Sequence, residues 1–305
     1  MICNKCKNKA VIKLQHGNLC KNHFLDYFEE KVFRTIKKYH LIDPKDKVCV
    51  ATSGGKDSLT ALYLTQKYLG TKELFALCID EGIKKYREKT IQDLKEFCKK
   101  NKVTLKIVKA KDEFEYTLDQ AYPLINQKTK KKPCNICGVW RRYLINKYAR
   151  KFGATKLVTG HNLDDEAQAI MMNIFKANTK LSAQLGPVSG IEEYKLFVQR
   201  VKPLYFCTEK ETRLYCLLKR FKVNFGECPY AEEGYRAKVR DMLNDFENKY
   251  AGTKQGIINS FLTVLPLLKK QSERYGEIKI CKKCGEPANQ EICNACNLLE
   301  ELKNG

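Results

Sequence analysis

Val48-Cys49-Val50-Ala51-Thr52-Ser53-Gly54-Gly55-Lys56-Asp57-Ser58 is the stretch that decides the fold. Its first part, Lys47 to Thr52, is a short apolar run, and a helical pattern with Leu59, Leu62 and Tyr63 follows the glycines. Continuous apolar character predicts a strand covered on both faces. The two glycines let the backbone turn sharply and bring its N–H groups close to a ligand. Ser53 and Ser58 add hydroxyl donors, Lys56 a cation, and the next helix start a favourable dipole. Together they make an anion cradle. It is not the Gly-x-x-x-x-Gly-Lys-Ser/Thr loop, because its glycines are adjacent and precede the lysine.

Outward from that loop the pattern repeats. Leu74 to Asp80, Val103 to Lys109 and Thr155 to Thr159 are further short apolar runs, each followed by helical periodicity. Strands alternating with helices predict an α/β fold, a parallel sheet with helices on both faces. An earlier helix, Phe24 to Tyr39, carries Phe24, Phe28, Val32 and Ile36 at helical spacing. After the last strand comes Thr159-Gly160-His161-Asn162-Leu163-Asp164-Asp165-Glu166-Ala167-Gln168. In open α/β sheets ligands bind beyond the carboxyl ends of strands, where this segment falls. Three successive acids at a helix start also suit simple capping of the dipole.

Fifteen cysteines remain to be explained. Cys281-x-x-Cys284 with Cys293-x-x-Cys296 has the spacing of a four-thiolate zinc ribbon, and Cys3-x-x-Cys6 with Cys20-x-x-His23 that of a three-Cys, one-His site. Both sets are closed, so two structural Zn²⁺ are expected. Mid-chain, Cys134-Asn135-Ile136-Cys137 is half a metal site or a redox pair, and Cys228 of Gly226-Glu227-Cys228-Pro229-Tyr230 is its best third partner. Three thiolates can hold a 4Fe–4S cluster with one iron left open. Cys49, Cys78, Cys98, Cys207 and Cys216 read as small core residues.

Lys and Arg number 57 against 35 Asp and Glu, a formal charge of +22 spread through the chain. Such a field favours a polyanion, nucleic acid first. Met1-Ile2-Cys3-Asn4 opens into a cysteine motif rather than a secretory signal, and no apolar run approaches the roughly 20 residues of a membrane span. A cytoplasmic protein with no membrane partner and unpaired cysteines is expected.

Ser53-Gly54-Gly55-Lys56-Asp57-Ser58 resembles the PP-loop of ATP pyrophosphatases, which cleave ATP between its α and β phosphates and adenylate a substrate. The resemblance implies an adenine-nucleotide α-hydrolase-like fold, here flanked by N- and C-terminal zinc ribbons. It implies ATP with Mg²⁺ on Ser53, Gly54, Gly55, Lys56, Asp57 and Ser58, Asp57 being a candidate metal partner, and the adenine near the backbone of Ala51 and Ile79. Residues 160–167 resemble the Gly-His-Asn-x-Asp-Asp-x-Ala motif of the tRNA 2-thiolation branch, which implies a catalytic Asp165 and contacts from Gly160 and His161 to ATP. The order of PP-loop, Cys-x-x-Cys-Gly, this motif and a late Cys-Pro looks like the TtcA/TtuA-type thiolases and their wobble-uridine relatives. In that family a cluster on the equivalents of Cys134, Cys137 and Cys228 receives sulfur. Arg141 falls where the family carries a catalytic basic residue, often lysine. An arginine stays charged there and cannot serve as a general base.

The resemblance divides the chain into a zinc finger at 1–30, a PP-loop domain with the iron–sulfur site at 31–250, a helical linker at 251–275 and a zinc ribbon at 276–305. It implies tRNA, ATP and a sulfur donor (free sulfide or a ubiquitin-like thiocarboxylate carrier) as partners, and a homodimer. The expected reaction is adenylation of a uridine C2 oxygen followed by sulfur transfer. The wobble uridine is favoured over the T-loop uridine because the Lys/Asn/Ile-rich composition carries no thermophile bias. Two other readings stand beside it: a non-thiolating PP-loop ligase of the lysidine-synthetase kind, and a zinc-ribbon RNA-binding scaffold.

Overall fold

Residues that alternate between two apolar surroundings build the central sheet. Val48 and Val50 enter one buried cluster and Cys49 the other, and Leu74, Ala76 and Cys78 separate from Phe75, Leu77 and Ile79 in the same way. This is the period of two that a strand imposes, with both faces buried as a parallel sheet requires. The computed structural model describes residues 1–70, 73–190, 196–224, 226, 228–231, 235–272 and 278–303.

A hairpin, β1 (Ala10–Leu14) and β2 (Gly17–Cys20), leads into helix α1 (Lys21–Lys38). There follow β3 (Val48–Ala51), α2 (Lys56–Leu69), β4 (Leu74–Asp80), α3 (Arg87–Lys100), β5 (Thr104–Lys109), α4 (Ala110–Phe114), α5 (Leu118–Thr129), α6 (Pro133–Lys151) and β6 (Lys156–Val158). After them come α7 (Leu163–Phe175), α8 (Thr179–Ser182), the short pair β7 (Val188–Ser189) and β8 (Gln199–Val201), α9 (Glu209–Leu218), α10 (Tyr235–Lys249) and α11 (Thr253–Ser272). The chain finishes with β9 (Lys279–Ile280), β10 (Pro287–Ala288) and α12 (Asn294–Lys303). The main sheet runs β5-β4-β3-β6-β8-β7, parallel except for β7 against β8. The alternation read from the sequence is thus realised as an α/β fold.

Strand order reverses between β3 and β6. From β3 the chain moves outward through β4 to β5, then returns to place β6 on the other side of β3. Such a switch point leaves a crevice at the carboxyl ends of the two strands. The loop that begins at Ser53 leaves β3 there, and the turn at Gly160 leaves β6 there.

Phe24, Phe28, Val32 and Ile36 of α1 are fully buried, each contributing about 1.5–3 kcal/mol relative to exposure. Because α1 starts at Lys21 and runs unbroken to Lys38, the N-terminal cysteine module is continuous with one face of the core, and Cys3 and Cys20 belong to it. Cys281 and Cys293 belong to the opposite face, with Ala295, Leu298 and Leu302 of α12 packed there. Segment 251–275 is helical over Thr253–Ser272, its Ile258, Phe261 and Leu265 packing with Leu163 and Ile170 of α7; residues 273–275 lie outside the described residues. Cys49, Cys78, Cys98, Cys207 and Cys216 are all buried. No helix of the described residues is long and apolar enough to cross a membrane.

Candidate active site

The loop after β3 is held in shape by its own serines. Ser53 N donates to Ser58 Oγ at 3.2 Å, Gly55 N to Ser53 Oγ at 3.3 Å, and Ser58 Oγ to the Gly55 carbonyl at 2.9 Å. Gly54 sits at φ +84°, and a Cβ there would lie 2.8 Å from the Thr90 carbonyl oxygen. Only glycine satisfies both conditions. Lys56, Asp57 and Ser58 form the first turn of α2, whose N–H groups have no intrahelical partner and face the crevice as anion donors. Lys56 Nζ is clamped between Asp57 and Glu209, at 2.9 Å from each.

The turn after β6 docks on that loop. A Cβ at Gly160 would meet the Asp57 carbonyl carbon and the Ser58 nitrogen, both at 2.8 Å. Asn162 caps α7 in a reciprocal box with Asp165 and also donates from Nδ2 to Asp57 Oδ1 at 3.1 Å. Asp57 and Asp165 thereby flank one asparagine. Burial raises the pKa of both, and Asp165 adds to the rise at Asp57 by repulsion. A divalent cation relieves such a pair. Asp165 also receives Arg236 at 3.1 Å, and its side chain stays 33 % exposed.

The other two acids of the run are structural. Asp164 pairs with Lys254 and accepts from Glu209 N at 2.8 Å; Glu166 pairs with Lys202 at 2.7 Å. The capping alternative holds for Asp165, through its box with Asn162, while the other two acids are held by lysines; of the three, Asp165 keeps the exposed side chain. His161 opens to the crevice at its surface but is ringed by protein, and it shares a hydrogen bond with Thr159 Oγ1 at 2.9 Å. Crowding by protein, then the cations of Lys202, Arg236, Arg200 and Arg141, hold its pKa down at about 3, so the ring is neutral.

Ala51 and Ile79 lie at the ends of the adjacent strands β3 and β4. The Ile79 carbonyl is already taken by Arg87, which also donates to the Ser53 carbonyl at 2.8 Å. Arg87 is 5 % exposed and pairs through Nε with Glu81 at 2.7 Å; Arg141 Nε approaches the other Glu81 oxygen at 3.6 Å. Glu81 and Arg87 escape a motif-based reading. Their signal is an acid just past a strand end, in Asp80-Glu81-Gly82, with an arginine six residues on.

Arg141 connects this bridge to the cysteines. Cys134 and Cys137 occupy the first two turns of α6, and Cys134 Sγ donates to the Tyr230 carbonyl at 3.2 Å, which brings the turn carrying Cys228 onto the helix. Phe225 and Glu227, beside it, lie outside the described residues. Cys137 and Cys228 pack against the same core face. Burial pushes the Cys137 thiol up to about 11; Arg141 opposes the rise, while Glu81, Cys228 and Cys134 add to it.

The terminal quartets differ from this trio. In each, all four ligand atoms lie within 4.8 Å of one another. Sulfur pairs stand at 3.7 Å for Cys6–Cys20, 3.8 Å for Cys281–Cys296 and 3.7 Å for Cys284–Cys293, and His23 Nδ1 is 3.4 Å from both Cys3 and Cys20. A tetrahedron with Zn–S bonds of about 2.3 Å has edges of about 3.8 Å. Among the described residues the trio does not gather this tightly. Three thiols set more loosely than a tetrahedral quartet leave room for an iron–sulfur cube on Cys134, Cys137 and Cys228.

A family model described as a PP-loop domain matches residues 26–245. The tRNA-5-methyluridine(54) 2-sulfurtransferase of Pyrococcus horikoshii is 37 % identical over 97 % of this chain and 93 % of its own length. The tRNA 2-thiolation protein NcsA of Haloferax volcanii is 31 % identical over 99 % of both. Among solved structures, the U34-tRNA thiolase NcsA of Methanococcus maripaludis with its [4Fe-4S] cluster superposes at a TM-score of 0.83 with 32 % identity, covering 99 % of this chain and 96 % of that one. Matched over nearly its whole length by proteins of this one kind, the chain belongs to the PP-loop family of tRNA 2-thiolating sulfurtransferases.

Proposed function

We propose that this chain 2-thiolates the wobble uridine of tRNA, using ATP to activate the C2 oxygen. The observation that carries the reading is the Glu81 bridge. One carboxylate holds Arg87, which fixes the phosphate loop, and approaches Arg141 beside the three thiols. A nucleotide site and a sulfur site are thus joined through three side chains, Arg87, Glu81 and Arg141. Support for the wobble position comes from the structural match to a U34 thiolase over 99 % of the chain. The relative at 37 % identity acts on position 54, which makes the T-loop uridine the second reading.

In this mechanism the first turn of α2, Ser53, Ser58 and Lys56 grip the triphosphate. Asp57 is the carboxylate that Mg²⁺ would meet, which leaves Asp165 to accept a proton. Asp165, raised by burial, takes the uridine N3 proton as the C2 oxygen attacks the α-phosphate, and pyrophosphate departs. Arg141 remains a cation and steadies the charge that develops on the adenylated base. When bound on Cys134, Cys137 and Cys228, a 4Fe–4S cluster supplies a place for the incoming sulfide, drawn from free sulfide or a thiocarboxylate carrier. Sulfur enters at C2, the C2–O bond breaks, and AMP leaves. The terminal quartets hold structural Zn²⁺. Exposed Ile174, Phe175 and Leu181 at the end of α7 and in α8 offer the apolar face for a homodimer, which light scattering reads directly.

The test replaces Cys134, Cys137 and Cys228 by Ala, one at a time. Each variant should lose anaerobic iron and labile sulfide and form no 2-thiouridine by mass spectrometry. Unchanged product removes the trio from the mechanism. Nuclease mapping of the parent product then separates position 34 from position 54.

A further inference from the structure

Two arginines, Arg142 on the cysteine helix and Arg200 on β8 beside it, take no part in that mechanism. Asn146 of α6 accepts the Val198 N–H at 3.1 Å and donates to the Leu196 carbonyl at 2.9 Å, which fixes the entry of β8 against the helix. Arg142 stands one turn before Asn146 on α6. Arg200 stands two residues after Val198, on the same side of the strand. Leu157, in register with Arg200 on β6, and Val198 both enter the core beneath α6. The Arg200 side chain therefore rises toward the helix, next to Arg142.

Neither guanidinium has a carboxylate partner among the described residues, whereas Arg87, Arg141, Arg150 and Arg236 each do. A Cβ on Gly138, one turn before Arg142, would touch the Arg142 guanidinium at 3.4 Å. The planar group thus lies back along the bare first turns of α6, toward the cysteines. Crowding, and then the next cation in line, hold both arginines below their ordinary pKa: Arg141 acts on Arg142, and Arg142 on Arg200. Like charges gathered without a counterion are relieved by a bound anion.

We propose that Arg142 and Arg200 form a phosphate-binding pair that takes a backbone phosphodiester of the tRNA beside the target uridine. This rests on the thiolation reading. ATP's phosphates already have a cradle on β3, and β8 lies two strands away, about 10 Å at the usual spacing. Arg142 sits next to Arg141 on the helix that carries two of the three thiols, where the target base must come. The forked guanidinium matches a phosphate through two parallel hydrogen bonds.

The test uses Arg142→Gln, Arg200→Gln, the double variant, and the two Arg→Lys variants in the full-length holoprotein. Fluorescence anisotropy follows labelled tRNA across a KCl series; a fluorescent ATP analogue and iron content are measured in parallel. Each Gln substitution should weaken tRNA binding about tenfold at low salt. It should also flatten the slope of log affinity against log salt by about 0.7–0.9. The lysine variants should recover part of both, with nucleotide affinity and iron unchanged. Unaltered tRNA affinity and slope in the double variant overturn the proposal. A fall in ATP affinity instead assigns the pair to the nucleotide, and a loss of iron assigns it to supporting the thiols; either result also overturns it. Wild-type protein that binds no tRNA removes the thiolation reading and the pair together, and the parent alone reveals that.

Discussion

Replacing Gly160 by alanine should disable the nucleotide site while leaving the fold in place. The added methyl group would sit 2.8 Å from the Asp57 carbonyl carbon and 2.8 Å from the Ser58 nitrogen. Carbon atoms pack best at about 3.5–4.0 Å, so the contact is short by about 0.7 Å. Both atoms are backbone, in the first turn of α2, and Asp57 is also tied to Lys56 and Asn162. No side-chain rotation relieves the clash, so loop and turn must separate. Gly160 is not among the positive-φ glycines, and alanine brings no backbone strain of its own. Overpacking of this kind costs about 1–3 kcal/mol. Borne by the ATP-bound state, which needs loop and turn together, that is a loss of about 5- to 150-fold in affinity. Titration calorimetry with a non-hydrolysable ATP analogue measures it, and circular dichroism confirms the fold. Gly256, exposed in α11 with nothing within 4 Å of its Cβ position, is the control: alanine there should leave affinity alone and add up to about 1 kcal/mol of stability. ATP affinity within twofold of the parent in Gly160→Ala would refute the docking of the two motifs.

Cys296→Ala should remove one equivalent of zinc by atomic absorption and cost about 3 kcal/mol or more, roughly 6–12 °C in Tm, because the ribbon is part of a buried core. Glu113, although burial opposes its ionisation, is held below the usual glutamate pKa by Lys147 at 2.7 Å and the Tyr148 hydroxyl. A lowered folded-state pKa gives stability that is present above the unfolded value and lost as pH falls through the folded one. Glu113→Gln should therefore cost about 1 kcal/mol or less at pH 7, after allowance for solvent, and nothing once the pH is below the folded value, as denaturant melts at the two pH values will read. The ring signals of His161 should not shift between pH 8 and 5 by NMR, since crowding by protein and then the cations around it disfavour the charged ring; a titration near 6.5 would contradict that picture.

Much of this site is legible before any coordinates, because its parts are local. A strand, two glycines and a helix make the phosphate cradle in eleven consecutive residues, and each terminal Cys/His quartet closes within about twenty. The pairing of distant charges is not local. Nothing near Asp164 or Glu166 announces Lys254 or Lys202, and without those partners the three acids look alike. Glu81 and Arg87 hide for the same reason, since their importance lies in what they reach: the Ser53 carbonyl, the Ile79 carbonyl and Arg141. Strands β7 and β8, two and three residues long, the second carrying Gln199 and Arg200, lack the apolar run that identifies the inner strands. They pair because β6 offers an open edge, a property of the sheet and not of their own sequence.

Helix α12 lies over α5 and α6, with Glu301 reaching Lys131 at 2.6 Å and Lys303 reaching Glu115 at 2.9 Å. On the ribosome this cover arrives late. At about 5–20 residues per second, translation from Cys137 to Leu302 takes roughly 8–33 s. For that interval the nascent chain presents the cysteine helix with one flank bare. The helix that carries Cys134 and Cys137 therefore reaches its final packing only after the C-terminal segment has been made.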